Sequence, residues 1–138
     1  MNKALDFFLE FSKNIPHSDD TYYNHCMGTY KILQELNCST DVCLAGLYHS
    51  VYGTEYFDAP KKLHPAIVTD LIGEEANRLV HIFCGLKNRF DVILTNSFNF
   101  DYSTHFNLMC IEYANLKEQS RRDSSVELLQ MCLSLIHI

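Results

Sequence analysis

Three short segments of this 138-residue sequence carry side chains with chemistry to offer. The first is His25-Cys-Met-Gly-Thr-Tyr-Lys-Ile-Leu33. The second is Ala45-Gly-Leu-Tyr-His49-Ser50-Val-Tyr52-Gly-Thr-Glu55-Tyr-Phe57. The third is Cys110-Ile-Glu112-Tyr-Ala-Asn115-Leu116. A neutral imidazole binds first-row metals through a ring nitrogen. A carboxylate adds negative charge and can also move a proton. A serine hydroxyl or an asparagine carbonyl is neutral and holds a hard divalent ion weakly. Each residue has a plainer reading as well. His25 lies in an apolar stripe, as a hydrogen-bonded core histidine would. His49 can bond a carbonyl, Glu112 or Asn115 and tie helices together. Asn115 shares a buried stripe with Leu108 and Ile111 and needs partners whatever its role. Glu55 reads as a solvated acid. Tyr52, Tyr56 and Phe57 either roof a pocket or pack on the surrounding helices.

Helices must position these segments. A first helix is predicted over about Lys3 to Lys13, with Leu5, Phe8, Leu9 and Ser12 on one face. Ile15-Pro16-His17-Ser18 breaks it. Ser18, Asp19 and Asp20 are N-cap candidates for a second helix to about Leu36. Its stripe is Tyr22, His25, Thr29, Ile32 and Leu36. Ser39 or Thr40 caps a third helix to about Tyr52, ended by Gly53. Gly46 within it marks a close approach of helices or room for a ligand. Pro65 opens a fourth helix, which stops at Gly73. Glu74 and Glu75 suit the start of a fifth, to about Lys87. Residues 88–103 hold a short helix and a loop, with a weak hint of strand around Phe98 to Tyr102. A sixth helix spans about Thr104 to Arg121, and Ser124-Ser125-Val126-Glu127 caps a seventh. The class is all-α, in one domain over residues 1–132. Leu133 to Ile138 resembles the translation of a sequencing-library adapter, so these six residues are set aside and a natural chain would continue past Cys132.

Hydrophobic residues make up 47% and charged residues 20%, a globular composition. The net charge of -6 repels phosphate backbones, so nucleic acid is not the expected partner. No apolar run reaches the ~20 residues of a membrane span, and Asp6 and Glu10 interrupt any signal-peptide pattern. The six cysteines form no CxxC pair and fit buried free thiols in a reducing compartment, which implies the cytoplasm. His64 and His81 have no motif around them and read as core or surface residues. Lys61, Lys62, Arg78, Lys87 and Arg89 read as a solvated face, although they can contact a phosphate. There is no P-loop, GxGxxG, HExxH or GxSxG. The oligomeric state is not legible.

The three segments resemble the HD-domain superfamily, whose signature is a histidine on one helix, a His-Asp doublet on the next and a late aspartate after an alanine. His25 matches the first position, His49-Ser50 the doublet, and Asn115 after Ala114 the late aspartate. The string His-Ser-Val-Tyr-Gly-Thr-Glu (49–55) is similar to an HD-related domain of unknown function in which serine stands in the doublet. The likeness covers most of residues 18 to 120. It implies an HD-like bundle of six or seven helices. It also implies a divalent metal (iron, zinc or manganese) and phosphoester hydrolysis or oxygenation of a small molecule. On that footing His25, His49 and Glu112 are the candidate metal ligands. Glu112 and Glu55 are the candidate catalytic carboxylates, and Ser50, Tyr52 and Asn115 the candidate ligand contacts. Ser50 cannot bridge two metals as the usual aspartate does. Either Glu112 or Glu55 would instead complete a two-His-one-carboxylate set. The other reading is a degenerate HD fold that binds a small ligand or a partner protein without metal.

Overall fold

The computed structural model describes residues 2–17 and 20–119, together with 127, 129, 130 and 132–134. Seven helices run in order through the continuous part: α1 (Lys3–Ser12), α2 (Tyr22–Glu35), α3 (Thr40–Leu47), α4 (Pro65–Ile72), α5 (Glu74–Gly85), α6 (Arg89–Thr95) and α7 (Tyr102–Glu118). A small antiparallel ribbon, β1 (Pro16–His17) and β2 (Asp20–Thr21), joins α1 to α2. The fold is all-α. Among the described residues no helix is long and apolar enough to cross a membrane.

Local chemistry sets most boundaries. Asn2 caps α1, its Oδ1 accepting from the amides of Ala4 and Leu5. Ser39 caps α3 through the amide of Val42. Pro65 opens α4 and Gly73 closes it, as predicted. The cap of α2 differs from expectation: Thr21 Oγ1 accepts from the Asn24 amide at 3.1 Å, and Asp20 supports it from one residue earlier. Ser18 and Asp19 lie outside the described residues, as do residues 124–126 of the proposed later cap. The strand hint at Phe98 to Tyr102 is not realised, because Asn96 and Asn99 both adopt positive φ and Asp101 caps α7.

α7 is the post around which the domain is built. Its residues 108–116 are all buried, so the helix has no solvated face there. α2 and α3 pack on it and on each other, and α5 covers α3. α2 is therefore buried on two sides. Cys26 and Leu33 join Tyr22, His25 and Thr29 inside, while the predicted Ile32 and Leu36 are only half-buried. In α1 the innermost residues are Ala4, Phe8 and Ser12; Leu9 lies outside. Gly46 allows the α2–α3 contact, since a Cβ there would sit 2.1 Å from Leu33 Cδ1. Leu129 and Leu133 are also buried in this core.

α3 ends at Leu47, five residues before the predicted Tyr52. The cause is the ring of His49. Its Nδ1 donates to the Gly46 carbonyl at 2.7 Å, the group that continued helix would offer to the amide of Ser50. The chain instead turns through residues 48–52, which brings Ser50 and Thr54 toward α2.

Candidate functional site

α2, the turn that follows α3, and α7 each deliver one polar group to the same place. His25 Nε2 lies 3.4 Å from His49 Nε2 and 2.9 Å from Asn115 Oδ1. All three residues are at most 4% exposed. The outer nitrogen of each ring is already engaged. His25 Nδ1 donates to the Glu118 carboxylate, and His49 Nδ1 donates to the Gly46 carbonyl. A neutral ring so engaged presents its Nε2 as a bare lone pair. Burial, and then repulsion from His25, hold His49 well below its ordinary range and so neutral. Asn115 Nδ2 donates to Glu112 Oε1 at 3.1 Å, which turns the amide oxygen toward the imidazoles.

Two side chains outside this trio hold it in place. Glu118 follows Asn115 by one turn of α7 and reaches across to α2 because position 28 is glycine. A Cβ on Gly28 would lie 2.5 Å from Glu118 Cγ. Glu112 accepts from Arg89 Nε at 3.0 Å with its second oxygen, and both partners are buried. The Arg89 guanidinium sits over the ring of Phe83 at 4.4 Å and beneath Tyr56 at 5.5 Å.

The three groups help line a pocket of about 130 Å³. His17, Ser50, Thr54, Tyr56, Phe57, Arg89 and Gln119 line the rest. The ribbon lays the His17 ring flat on His25, 4.6 Å between centroids and 5° between planes. Burial and the neighbouring His25 lower the His17 pKa. Ser50 Oγ is hydrogen-bonded to the hydroxyl of the buried Tyr22 at 2.8 Å.

The predicted site residues thus divide. His25, His49, Ser50 and Asn115 come together. Glu112 adjoins them, but its oxygens serve Arg89 and Asn115. Glu55 turns away and accepts from the backbone amides of Arg89 and Asn88 at the start of α6, which lowers its pKa. Tyr52 faces α5, where its hydroxyl donates to Asn77 and its ring stacks on His81. His17, Arg89 and Glu118 were not read as site residues. The signal for Glu118 is Glu112, Asn115 and Glu118 on one face of one helix. Arg89, read as part of a solvated face, is 6% exposed.

Residues 10–88 match a family described as a domain of unknown function, DUF6817. The chain belongs to this family. No curated protein and no solved structure matches it. The matched DUF6817 segment contains His17, His25, His49 and Ser50. Arg89, Glu112, Asn115 and Glu118 follow it. The pocket therefore draws on both sides of the family boundary.

Donor geometry tests the metal implied by the HD resemblance. Two donors about 2.1 Å from one ion lie about 3.0 Å apart at a right angle and about 3.4 Å apart at the tetrahedral angle. The two separations from His25 Nε2, 2.9 Å to Asn115 Oδ1 and 3.4 Å to His49 Nε2, are of that size. The donor set is two imidazoles and one amide; among the described residues no three His, Cys, Asp or Glu side chains converge.

Proposed function

We propose that this domain is a variant of the HD superfamily that holds a single first-row metal, iron, zinc or manganese, and acts on a small molecule beside it. His25 Nε2, His49 Nε2 and Asn115 Oδ1 are the ligands. One observation carries the reading: each imidazole spends its Nδ1–H on an acceptor behind it, so both Nε2 atoms face the same point. Outer hydrogen bonds of this kind fix the tautomer of metal-binding histidines and raise their basicity. Glu118 does so for His25 and the Gly46 carbonyl for His49, while Glu112 aims Asn115. The metal would polarise an oxygen of the bound molecule or lower the pKa of a bound water. Tyr56 and Phe57 would be among the side chains that surround it. Ser50 stands where a bridging aspartate would, so a single metal, not a pair, suits this chain. The six free thiols are consistent with a reducing, cytoplasmic setting.

A second reading has its own support, the lack of a charged ligand at the cluster among the described residues. A proton on His25 Nε2 would be donated to Asn115 Oδ1 at 2.9 Å and leave the network satisfied without metal. The pocket would then bind a small ligand or a partner protein by itself. Elemental analysis of the purified full chain, beside His25→Ala and His49→Ala, separates the two. The metal reading expects about one ion per chain, lost in both variants. Wild-type protein that takes up no iron, zinc or manganese on reconstitution would overturn it.

A further inference from the structure

The charge pattern of the pocket calls for a second occupant. Among the described residues no carboxylate lines its walls. Glu112 serves Arg89 and Asn115, Glu118 lies behind His25, and Glu55 holds the start of α6. A divalent ion on two neutral rings and one amide would keep its full charge among side chains that are at most 4% exposed. Such a charge is strongly disfavoured without a counter-charge. The Ser50 hydroxyl supplies none, and it is already bonded to Tyr22. The rest of the wall invites an anion. The Arg89 guanidinium carries five N–H donors, of which Glu112 takes Nε, and it borders the same space as the His17 ring. About 130 Å³ has room for a small oxyanion.

We infer that the pocket takes a small oxyanion, a carboxylate or phosphate group, between Arg89 and the metal position, and that metal and anion each require the other for tight binding. This rests on the metal reading of His25, His49 and Asn115. The anion supplies the negative charge that the described lining lacks, and the metal supplies the positive charge that Arg89, neutralised by Glu112, cannot give alone. Coupling of this kind is reciprocal: whatever factor the anion adds to metal affinity, the metal adds to anion affinity.

The test is binding alone. The full chain is titrated with Mn2+ in chloride, acetate and inorganic phosphate buffers, and free Mn2+ is read from its electron paramagnetic resonance signal. We expect at least tenfold tighter binding in acetate or in phosphate than in chloride, within the roughly 5- to 150-fold span usual for coupled sites. Which buffer acts identifies the oxyanion as carboxylate or phosphate. Ser50→Asp, checked for native circular dichroism, places a carboxylate at the pocket. It should bind Mn2+ tightly in chloride and lose the anion effect. Equal affinity in all three buffers overturns the coupling and leaves the metal site standing. Phosphate or acetate bound as tightly without metal as with it also overturns the coupling and favours the metal-free pocket. Failure to bind Mn2+, Zn2+ or Fe2+ in any buffer overturns the metal reading, and the inference with it.

Discussion

Arg89 and Glu112 show how much a single buried pair constrains. At 6% and 2% exposure, both charges are largely withdrawn from water. Glu112→Leu should therefore cost about 3–5 kcal/mol, because it strands a buried guanidinium. Arg89→Met/Glu112→Leu should recover most of that loss, less the ~1 kcal/mol bond from Asn115. Urea unfolding of both variants checks this, and a double variant as unstable as the single one would rule it out. The histidines predict a pH effect of definite sign. His49 titrates near 6.5 in the unfolded chain and well below that when folded, and His17 shifts the same way. Below about pH 6.5 the unfolded chain binds protons that the folded chain refuses, so stability is full above that pH and falls as the pH drops. The urea midpoint of the metal-free protein should decrease from about pH 7.5 to about pH 5.5, and less so in His49→Asn. Identical midpoints at the two pH values would contradict it. At this scale His25, His49 and Asn115 were legible because their types and helical spacing carry meaning. Arg89 was not, since a lone arginine after Lys87-Asn88 looks like surface until Phe83 and Glu112 are seen around it.

Helix starts and stops were readable where one side chain or one glycine decides them, as at Ser39, Pro65 and Gly73. They failed where a distant or unusual partner competes. The ring of His49 takes the carbonyl that would have continued α3, and two asparagines in the left-handed region break the extended stretch before α7. The ribbon that carries His17 was invisible because two residues per strand leave no periodicity. α2 contains the sharpest test of element design. Alanine is favoured over glycine by about 1 kcal/mol within a helix, yet position 28 is glycine, opposite Glu118. Gly28→Ala should fold as stably as the wild type within about 1 kcal/mol, because Glu118 can swing outward. It should also weaken metal binding by about 10–100-fold, the usual effect of losing an outer-shell partner. Glu118→Gln should weaken binding in the same direction. Undiminished metal affinity in Gly28→Ala would show that Glu118 does not position His25.

The molecule as a whole joins its early and late segments. His25 meets Asn115 and Glu118 across 90 and 93 residues of sequence, contacts that no local pattern announces. That is why the all-α class could be read from periodicity while His17 and Gln119 of the pocket lining could not. It also bears on the DUF6817 match, which stops at residue 88. A fragment ending there would keep both imidazoles and lose α7, the helix that shields them. Because residues 108–116 of α7 are enclosed on all sides, their amides can meet deuterium only when α2 and α3 part from the post. Whatever fills the pocket bridges those same three helices, so it must slow deuterium uptake along α7 and around His25 and His49 by a common factor. Exposed α4 residues such as Ile67 and Asp70 should keep their own faster clock.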